Sequence, residues 1–473
     1  MDEQQNNNPR PVNPRRKPRS KWELFKEAYL PVVIAGAAVL RILIFIIGSI
    51  VRAVERSNAE RDASIAASMS EADEALRLET EADNLLSLAM LKAESIDYDG
   101  AIGIIDSFSG NIDDFPDLLN ARTEYEQAKS SLVAWTNPDD VLSLSFQLLI
   151  ADPNRAFSDN VYGSSYKNNF VTTTEFSSIL LQLYNNGYIL VSLDDVFTTS
   201  VSENGDPVYA AKTLYLPEGK KPLILTQTNV NYNNYMIDSD GDLKPDKGAD
   251  GFASKLIIDA NGKLTNEYVD AQGNTLTGAY DLVPILNSFI EAHPDFSYRG
   301  AKAILAVTGY DGLFGYRTYP SIADKFGKEH YDSQVSEAKK IIDALRNDGY
   351  QIACYTYNNE PYGSSGVSEI KSDIKKWNDE VTPILGQCDV LVLAKNSDIA
   401  QADTAYYGEK YEALKNSGFT FYLGFCENGK SWSTISTDHV RLGRLLVTGS
   451  NLANHADWFT SIWDTASVLD ASR

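Results

Sequence analysis

The sequence predicts an α/β protein: strands in a sheet or barrel with helices outside, preceded by a transmembrane helix and an α-helical stalk. Three observations predict it. A 22-residue apolar run, Leu30 to Val51, lies near the N-terminus. Helically spaced apolar residues then continue to about residue 135. From Asn137 onward, short strand-like runs alternate with helical ones, the rhythm of a sheet or barrel wrapped by helices. A chain of 473 residues has room for two or three domains and an ample core.

The charge balance narrows the function classes. Lys and Arg number 42 against 65 Asp and Glu, a net charge of −23. Phosphate contacts need a basic face, so nucleic acid is not expected as a partner. Four His and three Cys, with no Cys-x-x-Cys or His-Glu-x-x-His pair, exclude a cysteine-rich zinc site. The 26 Tyr fit a folded body with a carbohydrate- or protein-facing surface.

Residues 30–51 read LPVVIAGAAVLRILIFIIGSIV. As a helix they span about 33 Å, against a hydrocarbon core of about 30 Å. Arg41 falls near the middle and costs roughly 2.5–3.5 kcal/mol on insertion scales, which the surrounding Ile, Leu, Val and Phe outweigh. The run is longer than the apolar region of a cleaved signal peptide and leads straight into Arg52, Glu55 and Arg56, so it reads as an uncleaved anchor. Residues 1–29 carry Arg10, Arg15, Arg16, Lys17, Arg19, Lys21 and Lys26 and form a basic disordered tail. The basic flank stays in the cytoplasm, so the expected topology is a single-pass protein of the cell membrane with its C-terminal bulk outside.

Residues 52–136 form the extracellular stalk. Ile65, Met69, Ala72 and Leu76 repeat at helical spacing, and Leu78, Ala82, Leu85 and Ala89 continue a shifted seam. The pattern breaks at IDYDG and resumes over Ala101–Asp106 and from Pro116 to Trp135. The hairpin is tetratricopeptide-like, in a single copy. It is either a spacer with a surface for a protein partner, or a collar packed on the following domain.

Within 137–473, strands are expected at Val141–Ile150, Ile189–Ser192, Lys221–Leu225, Ala303–Val307, Gln351–Tyr355, Val390–Ala394 and Phe419–Leu423. Helices are expected at Thr174–Asn185, Val283–Ala292, Asp332–Asp348, Val367–Leu385 and Ala405–Asn416. DANGK and DAQGN, flanked by strand-like residues, mark a β-hairpin insertion near 251–278. In a βα barrel the chemistry sits on loops after the strand C-termini. Here those loops hold LILTQTNVNYNNY (223–235) and IACYTYNN (352–359).

The blocks SFQLLIADPNRAF, TTTEFSSILLQLYNNGY, KPLILTQTNVNY, HPDFSYRGAKAILAVTGYDGLFGYRT, LRNDGYQIACYTYNN and RLGRLLVTG follow one another in an order that resembles the polysaccharide deacetylase (NodB-homology) family, over residues 137–473. The resemblance implies a distorted (β/α) barrel that removes acetyl groups from N-acetyl sugars. It also implies an Asp base, and an Asp and two His holding a divalent metal such as zinc, which polarises the amide and activates water.

This chain departs from that pattern at every position. Thr228 stands at the base and Asn229 at the metal Asp, with Gln227 before them. Tyr355 and Asn359 replace the two His, and Cys354 the preceding Ser. An alkyl hydroxyl is no general base at neutral pH, and neutral Asn and Tyr supply none of the ligand charge. No metal cofactor is therefore expected, and the reading is a catalytically inactive homologue that binds cell-wall or surface glycan or serves as a scaffold. An active esterase with rearranged residues, and a protein-interaction module acting through the stalk, are the alternatives. Thr228, Asn229, Tyr232, Tyr355, Tyr357 and Asn359 are the candidate pocket, where aromatics either stack on sugar rings or fill space. Asp238, Asp240 and Asp242 fail as a calcium loop because Leu243 and Ala249 stand where an EF-hand needs Gly and an acid, and they read as an acidic turn. His293, His330, His439 and His455 form no ligand pair by sequence.

Overall fold

The computed structural model describes residues 44, 46–50, 71–158, 161–205, 207–238, 240–247 and 249–473. The basic tail and most of the Leu30–Val51 anchor lie outside these, as do Ile65 and Met69. Among the described residues, no helix is long and apolar enough to cross a membrane.

Seven parallel strands form a closed ring: β1 (Leu142–Phe146), β2 (Lys221–Thr228), β3 (Ile304–Val307), β4 (Gln351–Cys354), β5 (Val390–Val392), β6 (Phe421–Phe425) and β7 (Val440–Leu446). Each pairs with the next in chain order, and β7 returns to β1. This is a (β/α) barrel. Two seams are short: β7 meets β1 through Leu445–Leu144 and Leu446–Ser145, and β4 meets β5 through Cys354–Leu391 alone.

Strand alternation divides the residues. Ile224, Ile304, Ala306, Ala353, Val390, Val392, Leu423, Val440 and Leu442 fill the interior. Leu144, Leu225, Leu305, Cys354, Leu391 and Leu445 face the helices outside. Those helices include α4 (Thr173–Asn185), α5 (Leu282–Ala292), α6 (Lys328–Asn347) and α7 (Val367–Lys376), which follow α1 (Glu71–Glu94), α2 (Tyr98–Asp106) and α3 (Pro116–Ser130) of the N-terminal unit. The start of α4 is fixed by a capping box, in which Thr172 Oγ1 accepts from Glu175 N and Glu175 Oε2 accepts from Thr172 N. Strands Lys255–Ile258, Leu264–Val269 and Thr275–Gly278 make a separate antiparallel sheet.

The structure corrects several elements. The seventh ring strand is Val440–Leu446, whose two arginines disguise it in sequence. Tyr188–Leu190 pairs with β2 outside the ring. The first strand ends at Phe146 rather than Ile150. The helix expected through Leu385 is α7 followed by a π-helical turn, Trp377–Val381, then Thr382–Leu385. Pro383 has no N–H for a regular helical bond, so the turn widens ahead of it.

α1 (Glu71–Glu94), α2 (Tyr98–Asp106) and α3 (Pro116–Ser130) enclose a small core of Ala82, Ala89, Ala101, Ile105, Leu118 and Tyr125. The helix expected to reach Trp135 ends at Ser130, and Val133–Trp135 becomes a strand against Leu214–Leu216. Ile96, Tyr98, Leu132 and Trp135 pack on the barrel's interior cluster at its N-terminal end. Arg299 N donates to Ser95 O at 2.7 Å and Arg299 Nη2 to Asp99 Oδ2 at 2.8 Å. The three helices therefore act as a collar on the barrel floor. Ile96, 4% exposed, holds φ at 62° despite its β-branch, a conformation sustained by what its side chain buries. Ile96→Ala is expected to cost about 2–5 kcal/mol. Urea denaturation of the two proteins measures this, and an unchanged midpoint would show that the collar is not held there.

Candidate functional site

The mouth of the barrel is built from the strand C-termini. Thr228 ends β2, 4% exposed, and its hydroxyl donates to Phe146 O at 3.2 Å. Asn229 follows in the left-handed region, φ 59°, and its buried Oδ1 has no hydrogen-bond partner among the described residues. Tyr355 continues β4, its N donating to Val307 O at 2.8 Å. Its ring is half-buried and its hydroxyl accepts from Lys395 N at 3.4 Å. Asn359, φ 56°, is half-buried with its Oδ1 also lacking a partner. β2, β3 and β4 are neighbours, so these four side chains belong to one side of the mouth. By strand alternation Phe425 and Leu446, both half-buried, join them.

Two of the six expected pocket residues do not line the mouth. Tyr232, 1% exposed, donates its hydroxyl to Asp281 Oδ2 at 2.7 Å and accepts from Asn266 Nδ2 at 3.0 Å. Its φ of 49° turns the ring beneath the loop. Tyr357 is also buried and donates to Glu380 Oε2 at 2.5 Å. Gly309 permits this, because a Cβ there would come within 2.3 Å of the Tyr357 ring. Trp377 is likewise buried in the core. Tyr235 does reach solvent on the β2 exit loop, its ring 5.3 Å from that of Tyr162.

Buried charges hold the loops. Asp281 lies outside the ring and accepts from Leu149 N at 2.9 Å, Gln227 Nε2 at 2.7 Å and Tyr232. Burial pushes its carboxyl above the usual range. Asp373, on α7, accepts from Tyr357 N, Asn358 N and the Tyr362 hydroxyl at 2.7–2.8 Å, fixing the β4 exit loop. Arg444 points into the barrel, where burial pushes its guanidinium down to about 10. Sequence reasoning missed all three. Asp281 looks like an ordinary residue before a helix, and nothing in EIKSDIKK or RLGRLL says which charge turns inward. Backbone strain collects here too: Asn229, Tyr232, Phe314, Thr356, Asn359, Lys395 and Asn396 all have positive φ on loops leaving β2 to β5.

The residues at the expected metal position do not fit a divalent ion. Thr228, Asn229, Tyr355 and Asn359 offer neutral oxygens, one already donating to a backbone carbonyl and one accepting from a backbone amide. Cys354 cannot substitute, because it faces the helices and burial pushes its thiol well above the usual range. Cys354, Cys388 and Cys426 are all free and buried. Among the described residues, the acidic, His or Cys groups that could share an ion are Asp238, Asp240 and Asp242, on the loop after β2. There Asp238 accepts from Gly241 N and Leu243 N, Asp242 pairs with Lys244, and Lys325 Nζ donates to Gly241 O. They make a self-satisfied acidic turn.

Neither a protein-family model nor a curated protein matches the chain. Among solved structures it is similar to the Streptococcus pyogenes deacetylase PplD in complex with acetate: 12% identity, TM-score 0.33, covering 68% of this chain and 98% of that one. It is also similar to a de-N-acetylase from Aggregatibacter actinomycetemcomitans: 13% identity, TM-score 0.35, covering 67% and 99%. Likeness at these scores carries no weight for chemistry, and the barrel assignment rests on its own strand order and register.

Proposed function

We propose that this chain is a membrane-tethered, extracellular glycan-binding protein on a deacetylase-type barrel, without deacetylase catalysis. Leu30–Val51 would supply the anchor, with the basic tail in the cytoplasm. The observation that carries the reading is Thr228 at the base position. Its hydroxyl is committed to Phe146 O, amid the neutral side chains of Asn229, Tyr355 and Asn359. No step that needs a proton acceptor near neutral pH can run through these groups. Binding is a different matter. Tyr355 and Phe425 at the mouth, and Tyr162 and Tyr235 on its rim, offer ring faces, while Gln147, Asn229 and Asn359 offer amides. This is the mixed aromatic and amide lining that recognises sugar rings and their hydroxyls.

The test uses the full chain in nanodiscs. Bound metal is measured by mass spectrometry, acetate release is followed on chitooligosaccharides and peptidoglycan fragments, and retention is scored on immobilised glycans. Retention without stoichiometric metal or acetate release is expected. Turnover abolished by a chelator would overturn the non-catalytic reading.

A further inference from the structure

The β5 to β7 side of the mouth carries unmatched positive charge. Arg444, 1% exposed, donates through Nε to Gly424 O at 2.8 Å, through Nη1 to Ser145 Oγ at 2.8 Å and through Nη2 to Leu393 O at 3.3 Å. None of these acceptors is ionised. The carboxylate that acts on it, Asp398, is already held by Arg441 Nη2 at 3.0 Å. That pair lies on the outer face of the strands, where a Cβ on Gly424 would fall 2.7 Å from Asp398 Oδ2. Arg441 is further enclosed by the rings of Tyr406 and Trp432, at 4.2 and 4.9 Å. At the exit of β6, Glu427 and Lys430 are both exposed, one charge of each sign. Across the mouth, Asp311 faces Arg317 at 3.7 Å. Among the described residues, Arg444 beneath the floor and Lys395 exposed on the rim have no carboxylate in ion-pair contact, and Lys395 N already touches the Tyr355 hydroxyl.

We infer that the mouth selects glycans bearing a carboxylate, such as uronate oligosaccharides, with Arg444 as the fixed charge below and Lys395 as the cation the ligand reaches. The inference rests on the glycan-binding reading above. A buried cation with only neutral acceptors is under-compensated, and an anion seated over it supplies what the protein does not. The net charge of −23 opposes anions at long range, so the selectivity resides in these two groups and not in the overall field.

The test compares tetragalacturonate with chitotetraose on the full chain in nanodiscs, by calorimetry. The acidic tetramer is expected to bind about tenfold tighter at low salt, a margin that shrinks as sodium chloride is added. Lys395→Glu, a surface change checked by thermal melting, should abolish the margin by weakening the acidic tetramer. Equal, salt-independent affinity for the two tetramers overturns the charge selection and leaves glycan binding standing. So does a margin that survives Lys395→Glu unchanged. Binding of neither tetramer overturns the glycan-binding reading, and this inference with it.

Discussion

Arg444→Ala is expected to destabilise the protein by about 4–6 kcal/mol, much of the stability of a typical domain. The reason is where the side chain reaches. β7 closes on β1 through two residue pairs, and β5 meets β4 through one. Backbone pairing is therefore thinnest around the strands that Arg444 ties together. Its guanidinium spans β6 at Gly424, β1 at Ser145 and the end of β5 at Leu393. Alanine leaves a cavity and deprives three buried acceptors of their donor. Arg444→Met separates the two contributions. It refills most of the volume and removes a poorly compensated buried charge, so it should recover about half of the loss. Urea midpoints at unchanged slope measure both. An alanine variant within about 1 kcal/mol of the parent would show that the ring closes without the clasp.

Much of this barrel is legible in the sequence because local signals and burial agree. Lys221–Leu225 closes on an unbroken Leu-Ile-Leu run, and it is buried on both faces as a parallel strand should be. The helix expected at Thr174–Asn185 forms as α4 one residue earlier, at Thr173, behind the Thr172 and Glu175 cap. What stays hidden is what tertiary contact decides. Val440–Leu446 carries Arg441 and Arg444, which read as surface. One is sealed between two rings outside the strand, and the other serves as an interior donor. The mouth is half legible for the same reason. The spacing that places Thr228, Asn229, Tyr355 and Asn359 at strand ends follows from the pattern of strands. The direction of Tyr232 and Tyr357 depends on a left-handed backbone at Tyr232 and a missing Cβ at Gly309, which no periodicity encodes.

Asp281→Ala is expected to cost about 3–5 kcal/mol, because it takes a shared buried acceptor from Leu149 N, Gln227 Nε2 and the Tyr232 hydroxyl together. Gln227 immediately precedes Thr228, so the loss also loosens the mouth from behind. The isosteric Asp281→Asn is more informative, since its cost should depend on pH. Burial raises the Asp281 carboxyl above its ordinary 3.8, so the folded protein keeps a proton there at pH values where the unfolded chain has released it. The stabilisation from this group is full below 3.8 and is withdrawn as pH climbs through the raised value. Asparagine cannot ionise and carries no such slope. The gap between parent and Asp281→Asn should therefore be widest in acid and narrow toward neutrality, a trend read from denaturation midpoints across that range. A gap that widens as pH rises would mean that the folded state prefers the ionised carboxylate. The three donors would then outweigh desolvation, and Asp281 would act as a buried anion holding β2 in place.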